Sequence, residues 1–157
     1  MKNIIDAFIA DENIAVVGVS RDKQKWGHML FTELRKKGYT VYPINPKADE
    51  IEGVTCYPSV SMLPQEVENV IVSVPASAAE EILAGINTSG GVKRVWLHKG
   101  GGEGASSPKA VELAREKGLE TVYDFCPLMF FPPVGAHGIH RFFKKLFGGY
   151  PKDYVEA

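Results

Sequence analysis

Cysteine is scarce: the 157-residue chain holds only Cys56 and Cys126, without CxxC spacing and without further pairs. That excludes a disulfide framework and leaves two buried thiols, as in a protein kept reduced in the cytoplasm. Long apolar stretches are missing as well. The longest run, Ile14 to Val19, is far short of the ~20 residues of a membrane-spanning helix, and Asp6, Asp11 and Glu12 stand where a signal peptide would be apolar. Net charge is nearly absent too: 18 basic and 19 acidic side chains leave −1. No overall field recruits nucleic acid or an anionic membrane, so any affinity for anions must come from local placement. Internal repeats and low-complexity segments are lacking. With 45% hydrophobic and 24% charged residues, the composition is that of a globular chain. Its length suits one core but not a nucleotide-binding domain plus a separate catalytic domain, so residues 1–157 are read as a single domain.

What is present is alternation. Apolar, β-branched runs at Ile14 to Val19, Val41 to Ile44, Val70 to Val74, Val92 to Leu97 and Thr121 to Tyr123 predict strands, with weaker pairing around Thr55 to Tyr57. Their near-continuous apolar character suits parallel strands covered on both faces. Between them, Gly27 to Lys37 places Leu30, Phe31 and Leu34 on one side and stops at Gly38. Ser77 and Glu80 read as a capping box, and Ser107 with Pro108 as the start of a helix ending at Gly118. Successive β-α-β units predict an α/β, Rossmann-like, doubly wound and mostly parallel sheet of five or six strands with helices on both faces.

The segment richest in chemistry is Gly18-Val-Ser-Arg-Asp-Lys-Gln-Lys-Trp-Gly27, between the first strand and the first helix after it. Gly18 permits a sharp turn and close approach of a phosphate, the helix that follows offers unpaired N–H groups and its positive dipole end, and Ser20 can donate a hydrogen bond. Arg21, Lys23 and Lys25 outnumber Asp22, although any one of these lysines taken singly reads first as a solvated surface group. The dinucleotide fingerprint G-x-G-x-x-G is missing, since Ser20 replaces its second glycine. The acid that accepts hydrogen bonds from an NAD ribose is missing as well, because the second strand runs into Pro43-Ile-Asn-Pro-Lys47. A lysine there favours a nucleotide with a phosphorylated ribose, which leaves NADP and coenzyme A.

Ile14-Ala-Val-Val-Gly-Val-Ser-Arg21, Gly38-Tyr-Thr-Val-Tyr-Pro-Ile-Asn-Pro-Lys47, Gly53 with Tyr57-Pro58, Val70 to Pro75, Val95-Trp-Leu97 and Ala114 to Leu119 occur here in order. In this the chain resembles the stand-alone CoA-binding domain proteins, which are similar to the N-terminal CoA-binding domain of the succinyl-CoA synthetase α subunit. The resemblance implies coenzyme A lying across the C-terminal ends of the strands. Gly18, Val19, Ser20 and Arg21, with Lys25, Trp26 and Gly27, would meet the pyrophosphate; Asn45, Pro46 and Lys47 would flank the phosphorylated ribose; Val74, Pro75 and Ala76 would line the adenine side. Pantetheine would run toward the glycine-rich turn at Gly100 to Gly104. The sequence departs from many relatives at Ser73-Val-Pro-Ala-Ser77, where an arginine is common.

The resemblance does not bring the ligase reaction with it, since that needs a second domain and a partner subunit. No nucleophile and base stand at a defensible spacing, and no catalytic residue is assigned. His28 reads as a helix-terminal surface residue. His98, at the ligand-facing end of a strand, has the better claim but also reads as structural. His137 and His140, with Cys126, lack further zinc ligands, so no metal is expected. The tail from about residue 124 carries Ile139, Phe142, Phe143, Leu146 and Phe147 as one apolar stripe, expected to dock on the core or on a second subunit. The expected function is therefore binding of coenzyme A or an acyl-CoA by a non-catalytic carrier, sensor or regulatory module in the cytoplasm. The alternatives are an NADP-dependent oxidoreductase, with Tyr123 or His98 as proton donor, and a ligand-free interaction domain.

Overall fold

The structure, a computed structural model, describes residues 1–64, 66–100 and 104–133. The five apolar runs become the five strands of one sheet: β1 (Asn13–Val17), β2 (Thr40–Ile44), β5 (Asn69–Val72), β6 (Arg94–His98) and β7 (Glu120–Phe125). They lie in the order β2-β1-β5-β6-β7, every neighbouring pair parallel. The expected pairing near Thr55 is found as a separate antiparallel hairpin, β3 (Glu50–Ile51) with β4 (Val54–Thr55), and Tyr57 makes one isolated parallel bridge to Ile44.

Strand residues alternate between two cores, as a pleated sheet buried on both faces requires. Ile14, Val16, Ile71, Trp96 and Val122 meet Ile5 and Phe8 of α1 (Lys2–Ala10) and Leu30, Phe31 and Leu34 of α2 (Trp26–Lys36). Ala15, Val17, Val70, Val72, Val95 and Leu97 meet Ala79 and Leu83 of α3 (Ala76–Gly85) and Ala110 and Ala114 of α4 (Pro108–Glu116). The first core also takes in Phe125, Cys126 and Leu128 to Phe131, and both cysteines are buried. The apolar stripe of the tail and His137 and His140 lie outside the described residues. No helix among those described is long and apolar enough to cross a membrane.

Two sequence readings need correction. α1 went unread because its nine residues lack a side-chain cap, an acidic first turn and a basic last turn, the usual marks of a helix boundary. The Ser77–Glu80 capping box does not form: α3 begins two residues earlier, with Pro75 as its N-cap, and Glu80 instead accepts from Ser107 Oγ at 2.7 Å. Ser107 caps α4 as expected, accepting from the Ala110 amide at 3.0 Å behind Pro108 at the helix start.

At the N-terminal ends of the strands, Arg94 ties three elements together. Its guanidinium donates to Asn69 Oδ1 at 2.9 Å and Glu120 Oε2 at 3.1 Å, and lies 3.5 Å from Glu68 and 4.0 Å from Asp11. Asn69, fully buried, donates in turn to Asp11 Oδ2 at 2.8 Å.

Candidate functional site at the C-terminal ends of the strands

The chain leaves β1 for β2 on one side and returns to β5 on the other, so the crevice between β1 and β5 is the topological switch point where open α/β sheets bind ligands. Register lines up the row Ile44, Val17, Val72 and Leu97 across four strands. The residues one step beyond it are Asn45, Gly18, Ser73 and His98. These four, set side by side by the sheet, form the floor of the site.

Gly18 carries a φ of 91°, and a Cβ there would lie 2.4 Å from the Ser73 carbonyl oxygen and 2.7 Å from Val74 Cγ1. Gly27, at the start of α2, is packed more tightly still: a Cβ would lie 2.0 Å from the Gly18 oxygen. The two glycines therefore let the first turn of α2 close directly onto the end of β1. Lys25 precedes that helix, and no side chain caps it. A helix of eleven residues whose first turn has no side-chain cap offers backbone N–H groups of the kind that can hold an anion.

Around this cradle the loops are bound to one another. Asn45 Nδ2 donates to the Val19 carbonyl at 2.7 Å, and Asn45 Oδ1 accepts from the Lys47 amide at 2.8 Å. One side chain thus joins the loop after β1 to the loop after β2. Ser20 Oγ accepts from the Asp22 amide at 3.1 Å, and Asp22 Oδ1 accepts from the Gln24 amide at 2.9 Å. Arg21, Lys25, Pro46 and Lys47 stand exposed at the rim, while Val19 turns its side chain into the core. Val74 packs partly buried beside Gly18, with Pro75 and Ala76 at the entry to α3.

Three features were not legible beforehand. His28 is 4% exposed rather than on the surface, and its Nδ1 donates to the Ser20 carbonyl at 2.7 Å. Its Nε2 lies 3.5 Å from Glu52, whose carboxylate also pairs with Lys23 at 3.1 Å. That hydrogen bond and charge from Lys23 hold the Glu52 carboxyl below the usual range. Glu52 sits at the tip of the β3–β4 hairpin with φ 51°, so the hairpin braces the loop after β1 and uses one of the loop's three cations to do so. The second feature is a cleft of about 250 Å³ walled by Val17, Ile44, Pro46, Val60 and Ile82, with Glu81 at α3. The third is His98, 7% exposed, its ring stacked on Trp26 at 5.1 Å and 8°. Its Nδ1 lies 3.4 Å from Ser73 Oγ, and among the described residues its Nε2 has no hydrogen-bond partner.

Burial lowers the His98 pKa from 6.5 to about 4, so the ring is neutral at physiological pH. A folded value below the unfolded one means stability that is complete above the unfolded pKa and is lost as pH falls toward the folded one. Between pH 7 and pH 4.5 the wild-type protein should lose about 2 kcal/mol more unfolding free energy than His98→Gln. Denaturant unfolding of both proteins at the two pH values measures it, and equal losses would mean a solvated imidazole.

Comparison with known proteins gives this geometry its context. The sequence profile of the CoA binding domain matches residues 12–132. The alpha subunit of an ADP-forming acetate–CoA ligase (II) of Pyrococcus furiosus is 32% identical over 129 residues, which cover 78% of this chain and 28% of that one. The chain thus spans under a third of that ligase subunit's length. An uncharacterised Bacillus subtilis protein is 28% identical, the match covering 73% of this chain and 82% of that one. Among solved structures, a hypothetical protein of Pyrococcus horikoshii superposes with a TM-score of 0.70 at 30% identity, over 81% of this chain and 87% of that one. With a profile match running from β1 through the last described helical turn, the chain belongs to the CoA-binding domain family, whose ligand is coenzyme A.

Proposed function

We propose that this protein holds coenzyme A or an acyl-CoA as a binding module, a carrier, sensor or regulatory subunit, without a reaction of its own. The observation that carries this reading is the pair Gly18 and Gly27, which brings an uncapped helix start onto the end of β1 at the switch point. The pyrophosphate would lie there, with Ser20, Arg21 and Lys25 around it. Lys47, presented by the Asn45 turn, would meet the 3′-phosphate of the ribose. The adenine would enter the cleft between Ile44, Pro46 and Ile82, whose apolar walls suit a flat ring. That places it deeper along α3 than Val74 to Ala76, which would line only its entrance.

Both NADP and coenzyme A would satisfy a lysine at the ribose, and the family favours coenzyme A. An oxidoreductase would also need a proton donor. Tyr123 faces Arg115 of α4, with its hydroxyl 3.4 Å from Nη2, so it belongs to the α4 side of the sheet. The acetate–CoA ligase names belong to chains of which this one matches a part, and ligation is not part of the proposed activity.

Mass spectrometry of the nucleotide released on denaturing the purified protein, with calorimetric titration of coenzyme A, NADP and dephospho-CoA, tests the reading. Coenzyme A is expected to bind most tightly; a preference for NADP would overturn the assignment. Lys47→Ala should weaken coenzyme A about fivefold to tenfold, the worth of one rim charge on a phosphate, and leave dephospho-CoA unchanged. Equal losses for both ligands would remove Lys47 from the 3′-phosphate.

A further inference from the structure

The hairpin β3–β4 meets the loop after β1 through one side chain, and that side chain stands in an unusual place. The two-residue connection, Glu52 and Gly53, has φ values of 51° and 76°, the left-handed pair that asparagine and glycine adopt most readily. Glutamate is a less favoured choice at the first of these positions, and a strained residue of this kind is kept where its side chain is used. Glu52 Oε1 lies 3.1 Å from Lys23 Nζ and 3.5 Å from His28 Nε2. Lys23 is 76% exposed, so its ion pair adds little stability by itself. What the cluster fixes is direction. His28, buried in the first turn of α2, donates from Nδ1 to the Ser20 carbonyl at 2.7 Å. A trans peptide is planar, and its C=O and N–H point opposite ways. With the Ser20 carbonyl drawn onto a buried ring, the N–H of Arg21 points away from that ring, out of the interior.

We infer that Glu52 and His28 are positioning residues for phosphate binding: the hairpin holds the His28 ring, the ring holds the Ser20–Arg21 peptide, and that peptide presents its N–H to the ligand. Lys23 is then a strut between loop and hairpin, its charge taken up by Glu52 and not by a phosphate. The inference rests on the coenzyme A reading and gives it a test of sign. By charge alone, removing a carboxylate beside an anion site tightens binding of the anion. By positioning, the same removal frees the ring, lets the peptide turn and weakens binding. A merely structural role for Glu52 predicts a third result, a protein that is less stable.

Glu52→Asn separates the three, because asparagine suits the left-handed turn while the carboxylate is lost. Its melting temperature should equal or exceed that of the wild type. Calorimetry should nevertheless show coenzyme A and 3′,5′-ADP, which carries phosphates but no pantetheine arm, both binding about fivefold more weakly. His28→Leu should weaken both ligands about tenfold, and His28→Asn, whose Nδ2 takes the place of Nδ1, should recover most of that loss. Adding Lys23→Ala to Glu52→Asn should cost nothing further, since the strut is already broken. The inference is overturned if Glu52→Asn binds as tightly as the wild type or more tightly, or if its weaker binding comes with a lowered melting temperature. It is equally overturned if His28→Asn binds no better than His28→Leu, or if adding Lys23→Ala brings a further loss, which would put Lys23 on a phosphate. If the wild-type protein binds neither ligand, it is the coenzyme A reading that falls, and this inference with it.

Discussion

Replacing Gly27 by alanine is expected to abolish coenzyme A binding, weakening it more than a hundredfold, and to lower the unfolding free energy by about 2–4 kcal/mol. The added methyl would stand 2.0 Å from the Gly18 oxygen and 2.8 Å from its carbonyl carbon, distances that only movement of backbone can relieve. Either α2 lifts from the end of β1 or the turn at Gly18 opens, and both displace the amides that would hold the phosphates. Gly18→Ala should act in the same direction, because its φ of 91° is strained for alanine and its Cβ would meet the Ser73 oxygen at 2.4 Å. Titration calorimetry and denaturant unfolding give the two numbers for each variant. Binding within a few-fold of wild type in Gly27→Ala would show that the phosphates do not use this cradle.

Asn45→Asp should be the next most damaging change, with about a hundredfold loss of coenzyme A affinity in a protein that still folds. The substitution keeps the shape, and one carboxylate oxygen can still accept from the Lys47 amide. The other would face the Val19 carbonyl oxygen, to which the native Nδ2 donates at 2.7 Å. A hydrogen bond becomes a repulsion, the carbonyl loses its partner, and a negative charge enters a site meant for phosphates. Asn45→Ala, which only removes the bridge, should cost about tenfold. If the two variants bind equally well, the added charge lies away from the ligand. Calorimetry at two ionic strengths checks this, since the electrostatic part of the Asp variant's loss should shrink with salt.

The strands and their parallel arrangement were readable because each is a short apolar run whose alternate residues fill two cores, a pattern that leaves its mark on nearly every position. The loop after β1 was readable because glycine and basic residues concentrate there. Its partners were not. His28 was taken for a surface residue, since nothing local tells that a hairpin more than twenty positions later brings Glu52 against it. His98 was expected at the C-terminal end of a strand, and it does end β6, but its stacking on Trp26 and its lack of a hydrogen-bond partner for Nε2 among the described residues arise from segments far apart in sequence. The Ser77–Glu80 pattern misled because Glu80 found a stronger partner in Ser107 and Lys109 of the neighbouring helix. The cleft between β2 and α3 is a shape made by several segments, and no single stretch announces it.

The Arg94 cluster has a bearing on how such a protein can change. Its guanidinium, Asn69 and the acids around it join β5, β6 and β7 and the turn before β1 at the N-terminal ends of the strands, opposite Asn45, Gly18, Ser73 and His98. Distant sites without shared partners contribute to stability independently. The loops at the C-terminal ends can therefore accumulate substitutions while the opposite ends keep the strands in register, and new specificities can be tried on this scaffold without rebuilding its foundations.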